Sequence, residues 1–209
     1  MDTDYNRIAG GSVERIAALS DGIFAVAMTL LVLDLRVPVA AAIHGEAGLE
    51  RALASLAPHL LVYLMSFMTL GIFWVGQQTQ LNHLARADRD LAWIHLGFLF
   101  AVTLTPFSTG LIGSFIADWI ALAVYWGNIV LLGAGLFASW RYATRAGLIR
   151  PDTPADIHCA MERRIMVAQA LYAVGALLCM VSTYWSLGFI VLVQINYVLA
   201  PRVLGLNRL

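Results

Sequence analysis

Between Arg15 and Pro38 the chain reads RIAALSDGIFAVAMTLLVLDLRVP, an apolar stretch long enough to cross a lipid bilayer. From Ile23 to Leu33 its only polar side chain is Thr29, and charge returns at Asp34. About 20 apolar residues make one spanning helix, because each adds about 1.5 Å across a hydrocarbon core about 30 Å thick. Such a segment restricts the fold, since backbone groups in lipid must find their partners within the protein. Composition extends the constraint to the whole chain. Only 12% of the 209 residues are charged and 60% are hydrophobic, where soluble domains carry roughly 25% charge. The chain reads as an all-α integral membrane protein, with the lipid bilayer as its first partner. Its formal net charge is zero, so no global field recruits nucleic acid, and no soluble partner is implied.

Hydropathy gives six transmembrane helices in a single domain over 1–209, with spans at about 14–37, 58–84, 90–112, 118–142, 163–184 and 186–205. Residues 38–54 read as a loop with a short surface helix. Pro58 suits a first helical turn, whereas Pro106 is expected to kink or end span three. The long polar stretch from Arg141 to Arg164 is expected to be a linker, and TYWSLG a tight turn between spans five and six. The opening MDTDYNR lacks the basic region of a cleaved signal peptide, so the first span is expected to be retained. Cys159 and Cys179 have no metal-ligand spacing and read as free thiols.

Arginine supplies all thirteen basic residues. With six spans, eleven fall on one side: Arg7, Arg15, Arg86, Arg89, Arg141, Arg145, Arg150, Arg163, Arg164, Arg202 and Arg208. Only Arg36 and Arg51 fall on the other. The positive-inside rule then places both termini in the cytoplasm, with Asp34 and Arg36 outside.

Two features of the first span bear on chemistry. On a helical wheel Val26, Thr29, Leu30 and Leu33 share one stripe, about 100° wide. The ordinary reading is an aliphatic face against lipid or another helix, and Thr29 alters this little, since it can bond back to its own backbone. The second feature is the cluster Arg15, Ser20 and Asp21. A carboxylate at a helix centre costs about 2.5–3.5 kcal/mol, so Asp21 needs partners, such as Gln77, Gln78, Asn82 or His83 on span two. The alternative is an interfacial N-cap at Ser20 or Asp21, with Arg15 among the head groups. Asp34 either concentrates cations at an outer mouth or ends the helix in a solvated pair with Arg36.

Arg15-x-x-x-Leu19-Ser20-Asp21-Gly22, followed by TLLVL, resembles the R-x-x-x-F-S-D-G signature of the transmembrane protein 175 family. SFMTLGIFWVG in span two and LAWIHLGFLFAVTLTPFSTGL in span three extend the likeness over about the first 110 residues. The resemblance implies a potassium-selective channel, without the usual TVGYG filter, in the plasma membrane of a prokaryote. It implies a homotetramer whose first helices surround a central pore. Val26 would form the narrow ring, Leu30 and Leu33 further rings, and Thr29 a polar ring. Arg15, Ser20 and Asp21 would brace that helix against spans two and three. No cofactor is implied, and no metal beyond potassium in transit.

The chain departs from the family pattern at four places. Leu19 replaces Phe, Gln77 and Gln78 replace a common His pair, His95 stands for a common Asn, and Val26 is smaller than the usual Ile or Leu. The first three bear on the bracing network and any pH response through it; the fourth points to a wider ring. A ring of Val and Leu offers no oxygen ligands, so it acts by size and dewetting, and selectivity over sodium should be weak.

The rival readings are a secondary transporter and a proton-permeable leak. A transporter calls for broken helices in matching halves, which the sequence does not display. A leak would use His59, His83 or His95, since histidine is the side-chain type whose charge can change near neutrality. An enzyme is disfavoured, because no H-E-x-x-H or nucleophile-elbow motif occurs, and His158 and Cys159 lack a third partner.

Overall fold

The computed structural model describes residues 12–39 and 45–199. Arg7, Arg202 and Arg208 of the charge split, and the far end of span six, lie outside the described residues, as does 40–44 of the first loop. Among the described residues the fold is all helical, with one isolated antiparallel bridge between Leu84 and Ile149. Helix α1 spans Val13–Leu30 and passes into a 3-10 turn at Leu31–Asp34. Then come α2 (Glu46–Ser55), α3 (Ala57–Asn82), α4 (Arg89–Ser114), α5 (Trp119–Arg145), α6 (Ala155–Leu177) and α7 (Thr183–Leu199). Five stretches are long and apolar enough to cross a membrane: α1 with its 3-10 turn, α3, α4, α5, and α6 with the turn after it; α7 is a shorter apolar helix. Helix α2 buries no residue and fits the short surface helix expected after the first span.

Helix starts follow capping chemistry. Ser12 accepts the Arg15 N–H, Asp88 the Leu91 N–H and Asp118 the Ile120 N–H, each side chain filling one of the four donors a helix start leaves open. The end of α5 is a Schellman turn: Gly147, at φ 64°, lets Leu148 N–H reach Ala143 O at 3.0 Å. Beside it, Ala85 N–H donates to Leu148 O and Arg150 N–H to His83 O, both at 2.9 Å, tying the ends of α3 and α5 together. Tyr142 donates to Asp88 Oδ2 at 2.8 Å, which holds the start of α4 at the same end.

Three expectations need correction. Of the two outcomes expected of Pro106, a kink or an end, the second does not occur: Pro106 lies inside α4, which runs on to Ser114. The polar stretch 141–164 is a linker only from Ala146 to Pro154, because α5 extends to Arg145 and α6 begins at Ala155. The turn between the last two helices falls at residues 178–182, as a 3-10 turn at Leu178–Met180 and its exit, so TYWSLG opens α7. Ser182 N–H bonds to Leu178 O at 3.1 Å there, and Ser186 Oγ then ties α7 to Gly175 O of α6.

Helix α4 packs against α1, α3 and α5, and α6 and α7 close the outer side against α5 and α3. The core fills with Phe24, Leu31, Met65, Phe98, Leu122 and Tyr125, among others. In a bilayer such contacts gain little over contact with lipid tails, so close packing and inward polar groups must specify the arrangement. Glycines permit the closest approaches: a methyl group on Gly135 of α5 would come within 2.9 Å of Phe98 Cβ on α4.

Candidate functional site

Helix α1 has two faces. Ser20, Phe24, Ala27 and Leu31, three or four residues apart, are buried against the bundle. The stripe picked out on the wheel lies on another face: Val26 is 57% exposed, Leu30 44% and Leu33 70%, and Thr29 is exposed. Thr29 Oγ1 donates to Val26 O at 2.8 Å, so its hydroxyl is satisfied by its own backbone. The stripe continues inward through Leu19 and Gly22, and Thr103 of α4 borders the same groove. A Cβ added at Gly22 would meet nothing within 4 Å, so the protomer is open at that level.

A chain of side chains holds the buried face. Ser20 Oγ donates to Ile16 O at 2.7 Å and accepts from Gln77 Nε2 of α3. The same amide nitrogen lies 3.0 Å from His95 Nε2 of α4, and His95 Nδ1 lies 3.3 Å from Ser139 Oγ of α5. Because the amide donates, His95 Nε2 is the acceptor, which leaves the ring hydrogen on Nδ1 facing Ser139. Ser20, Gln77 and His95 are essentially fully buried. One relay thus binds α1, α3, α4 and α5 at a single level.

Asp21, next to Ser20, is held separately. Its Oδ1 accepts from Trp74 Nε1 at 2.8 Å and from Gln78 Nε2 at 2.7 Å, donors one turn apart on α3. Helix α1 begins at Val13, so neither Ser20 nor Asp21 is its N-cap; Ser12 is. Arg15 is not brought into either network: its side chain is exposed and forms no salt bridge among the described residues. Nor does Asp34 pair with Arg36 among the described residues. Asp34 lies over Gly110 of α4 instead, where an added Cβ would meet both carboxylate oxygens at 3.1 Å. His83, a suggested partner of Asp21, bonds to Thr79 O at 2.8 Å.

The sequence reading missed a second polar layer. Thr69 Oγ1 lies 2.9 Å from Tyr125 OH and accepts from Gln194 Nε2 at 2.6 Å, and Thr109 Oγ1 reaches Ser66 Oγ at 2.8 Å. Asn128 Nδ2 donates to Thr105 Oγ1 at 2.9 Å. All of these are buried and they join α3, α4, α5 and α7. Their signal in the sequence is polar residues three or four apart on apolar helices (66 and 69; 105, 108 and 109). No group of three or more His, Cys, Asp or Glu able to hold a metal occurs among the described residues.

An all-helical bundle of membrane-spanning length, with one apolar helix face left open beside a hydrogen-bonded one, places the chain among polytopic helical membrane proteins. The comparisons with known proteins agree. The family model described as endosomal/lysosomal potassium channel TMEM175 matches residues 15–106. A potassium channel of Streptomyces collinus is 34% identical, covering 93% of this chain and 87% of that protein. One of Chamaesiphon minutus is 30% identical, covering 88% and 93%. The crystal structure of a TMEM175 homolog from Chamaesiphon minutus, a lysosomal potassium-selective channel by its description, superposes with a TM-score of 0.78 at 28% identity, covering 90% of this chain and 97% of that one. The chain belongs to the TMEM175 family of ion channels.

Proposed function

We propose that this protein is a potassium channel in the plasma membrane of a prokaryote, a homotetramer of six-span subunits with α1 around the central axis and both termini in the cytoplasm. The observation that carries this reading is the exposed stripe of Val26, Thr29, Leu30 and Leu33, set apart from the buried, hydrogen-bonded face of the same helix. Four such stripes facing one another make successive aliphatic rings, with Val26 as the constriction. The names of the bacterial relatives support potassium as the permeant ion.

Rings of Val and Leu supply no ligands to a dehydrated ion. They discriminate by the ease with which a cation sheds or deforms its water shell, and they close by dewetting when the helices move inward slightly. Potassium holds its water less tightly than sodium, so it is favoured, though modestly. Asp34, exposed at the outer end of α1, would raise the local cation concentration. No cofactor takes part. Ser20, Asp21, Gln77, Gln78 and His95 act as braces and do not touch the ion.

The test is cation flux through the purified protein in liposomes. Ohmic currents with potassium passing more readily than sodium are expected, and Val26→Ala should shift the reversal potential toward equal permeability. Saturable, substrate-coupled flux would instead favour a transporter. Unaltered selectivity in Val26→Ala would remove Val26 from the constriction.

A further inference from the structure

The open part of α1 is wider than a pore wall needs. At about 100° per residue, its exposed positions run from Asp21 round to Leu30 and cover about half the helix circumference. Where four helices stand in a square, only the part nearest the axis faces the pore, and the two neighbours lie about 45° to either side of it. The flanks of the exposed arc therefore need partners of their own.

The two flanks differ in shape. On the α3 side, where Asp21 meets Trp74 and Gln78, the exposed residues are Ala18, Gly22 and Ala25. On the α4 side stand Leu19, Ile23 and Leu30, and Thr103 of α4 bounds a groove of about 410 Å³ that runs from them across Gly22. One flank is cut back to backbone and methyl groups, and the other carries branched side chains. Lipid tails draw no advantage from such a notch, whereas a second helix does, because small residues let two backbones approach closely. Charge is arranged in the same sense. Glu14, at the foot of the small flank, and Arg15, about 100° round from it, are both exposed, and neither forms a salt bridge among the described residues.

We infer that the occupant is α1 of a second copy of this chain, with one flank of each copy against the opposite flank of the next. Ile23 of one copy enters the notch between Ala18, Gly22 and Ala25 of its neighbour, as a knob enters a hole. Arg15 of the first copy lies against the Glu14 carboxylate of the second. Such a contact joins unlike surfaces, so repeating it through a fixed rotation closes a ring. Resting on the fourfold arrangement proposed above, it keeps Val26 and Leu33 toward the axis and seals the pore wall between subunits.

The experiment is disulfide cross-linking of the full-length protein in detergent, with Cys159→Ser and Cys179→Ala removing the native free thiols. Ile23→Cys and Ala25→Cys fall about 160° apart on one helix, so they cannot bridge within a chain. Under mild oxidation the double variant should give a ladder of covalent dimer, trimer and tetramer, while neither single variant is linked. Dimers from a single variant as abundant as those from the double would mean that like faces meet, and would overturn the proposal. So would an unlinked double variant whose mass by light scattering is still that of four chains, a result that leaves the channel reading intact. An unlinked, monomeric double variant would remove the tetramer as well. Ala25→Phe checks the same contact without oxidation. Ala25 is exposed in the protomer, so helix content by circular dichroism should persist while the tetramer is lost; tetramers that survive would equally overturn the proposal.

Discussion

Asp21 shows how one residue can be half legible. Its sequence position demanded partners on span two, and Gln78 is one of them; Trp74, the second donor, stands in the SFMTLGIFWVG stretch, but nothing in that stretch marks its indole N–H as a partner of Asp21. Ser139 was equally silent as the far end of the Ser20–Gln77–His95 relay, since a lone serine on an apolar helix usually bonds to its own backbone. Arg15, which the motif suggested as part of the brace, forms no salt bridge among the described residues of the protomer. Asp21→Ala leaves two N–H donors of α3 without their acceptor. Hydrogen bonds to charged groups contribute about 1.5–3 kcal/mol, less at a partly exposed site. Thermal melts should drop by about 2–6 °C and the yield of assembled protein should fall, with the potassium-to-sodium permeability ratio nearly unchanged. Full assembly with altered permeation would place Asp21 in the conduction path instead.

At the scale of elements, hydropathy located the long helices well and their ends poorly. Apolar runs are visible to an averaging window, while helix stops depend on local chemistry. The Gly147 turn ends α5 beyond Arg141, and Pro106 fails to stop α4 because its neighbours hold it within a packed helix. The buried layer of Ser66, Thr69, Thr109, Tyr125 and Gln194 escaped because its members are scattered over four helices and converge only in three dimensions. How α1 is seated depends on α4 and α5: the Phe24 ring of α1 meets Phe98 of α4 at a 45° tilt, centroids 5.9 Å apart, and Phe98 lies in turn against Gly135. Gly135→Ala places a methyl group 2.9 Å from Phe98 Cβ and 3.2 Å from its Cα, so α4 and α5 must separate. Overpacking of this kind costs about 1–3 kcal/mol. A lowered melting temperature is expected, and an unchanged one would mean that the pair opens without strain.

For the whole molecule, a single protomer leaves a good deal of apolar surface on α1 and α4, including Val26, Leu33, Trp93, Phe100 and Phe107, the last two 65% and 67% exposed. Large exposed aromatic positions suit lipid or a neighbouring subunit alike. The proposed assembly gives α1 the second of these, and light scattering on the detergent-solubilised protein, corrected for detergent, should return about four times the 22.8 kDa chain mass. A monomer at micromolar concentration would contradict it. The close of α1 adds something the wheel could not. A 3-10 turn has three residues per revolution and rises about 2 Å per residue, so from Leu30 through the turn at Leu31–Asp34 the chain brings Leu33 round almost directly above Leu30. In an unbroken α-helix the two would diverge by about 60°. The 3-10 form of that last turn thus keeps Leu33 in register with Leu30, whereas an α-helical turn would carry it out of line together with its neighbours in Leu31–Asp34.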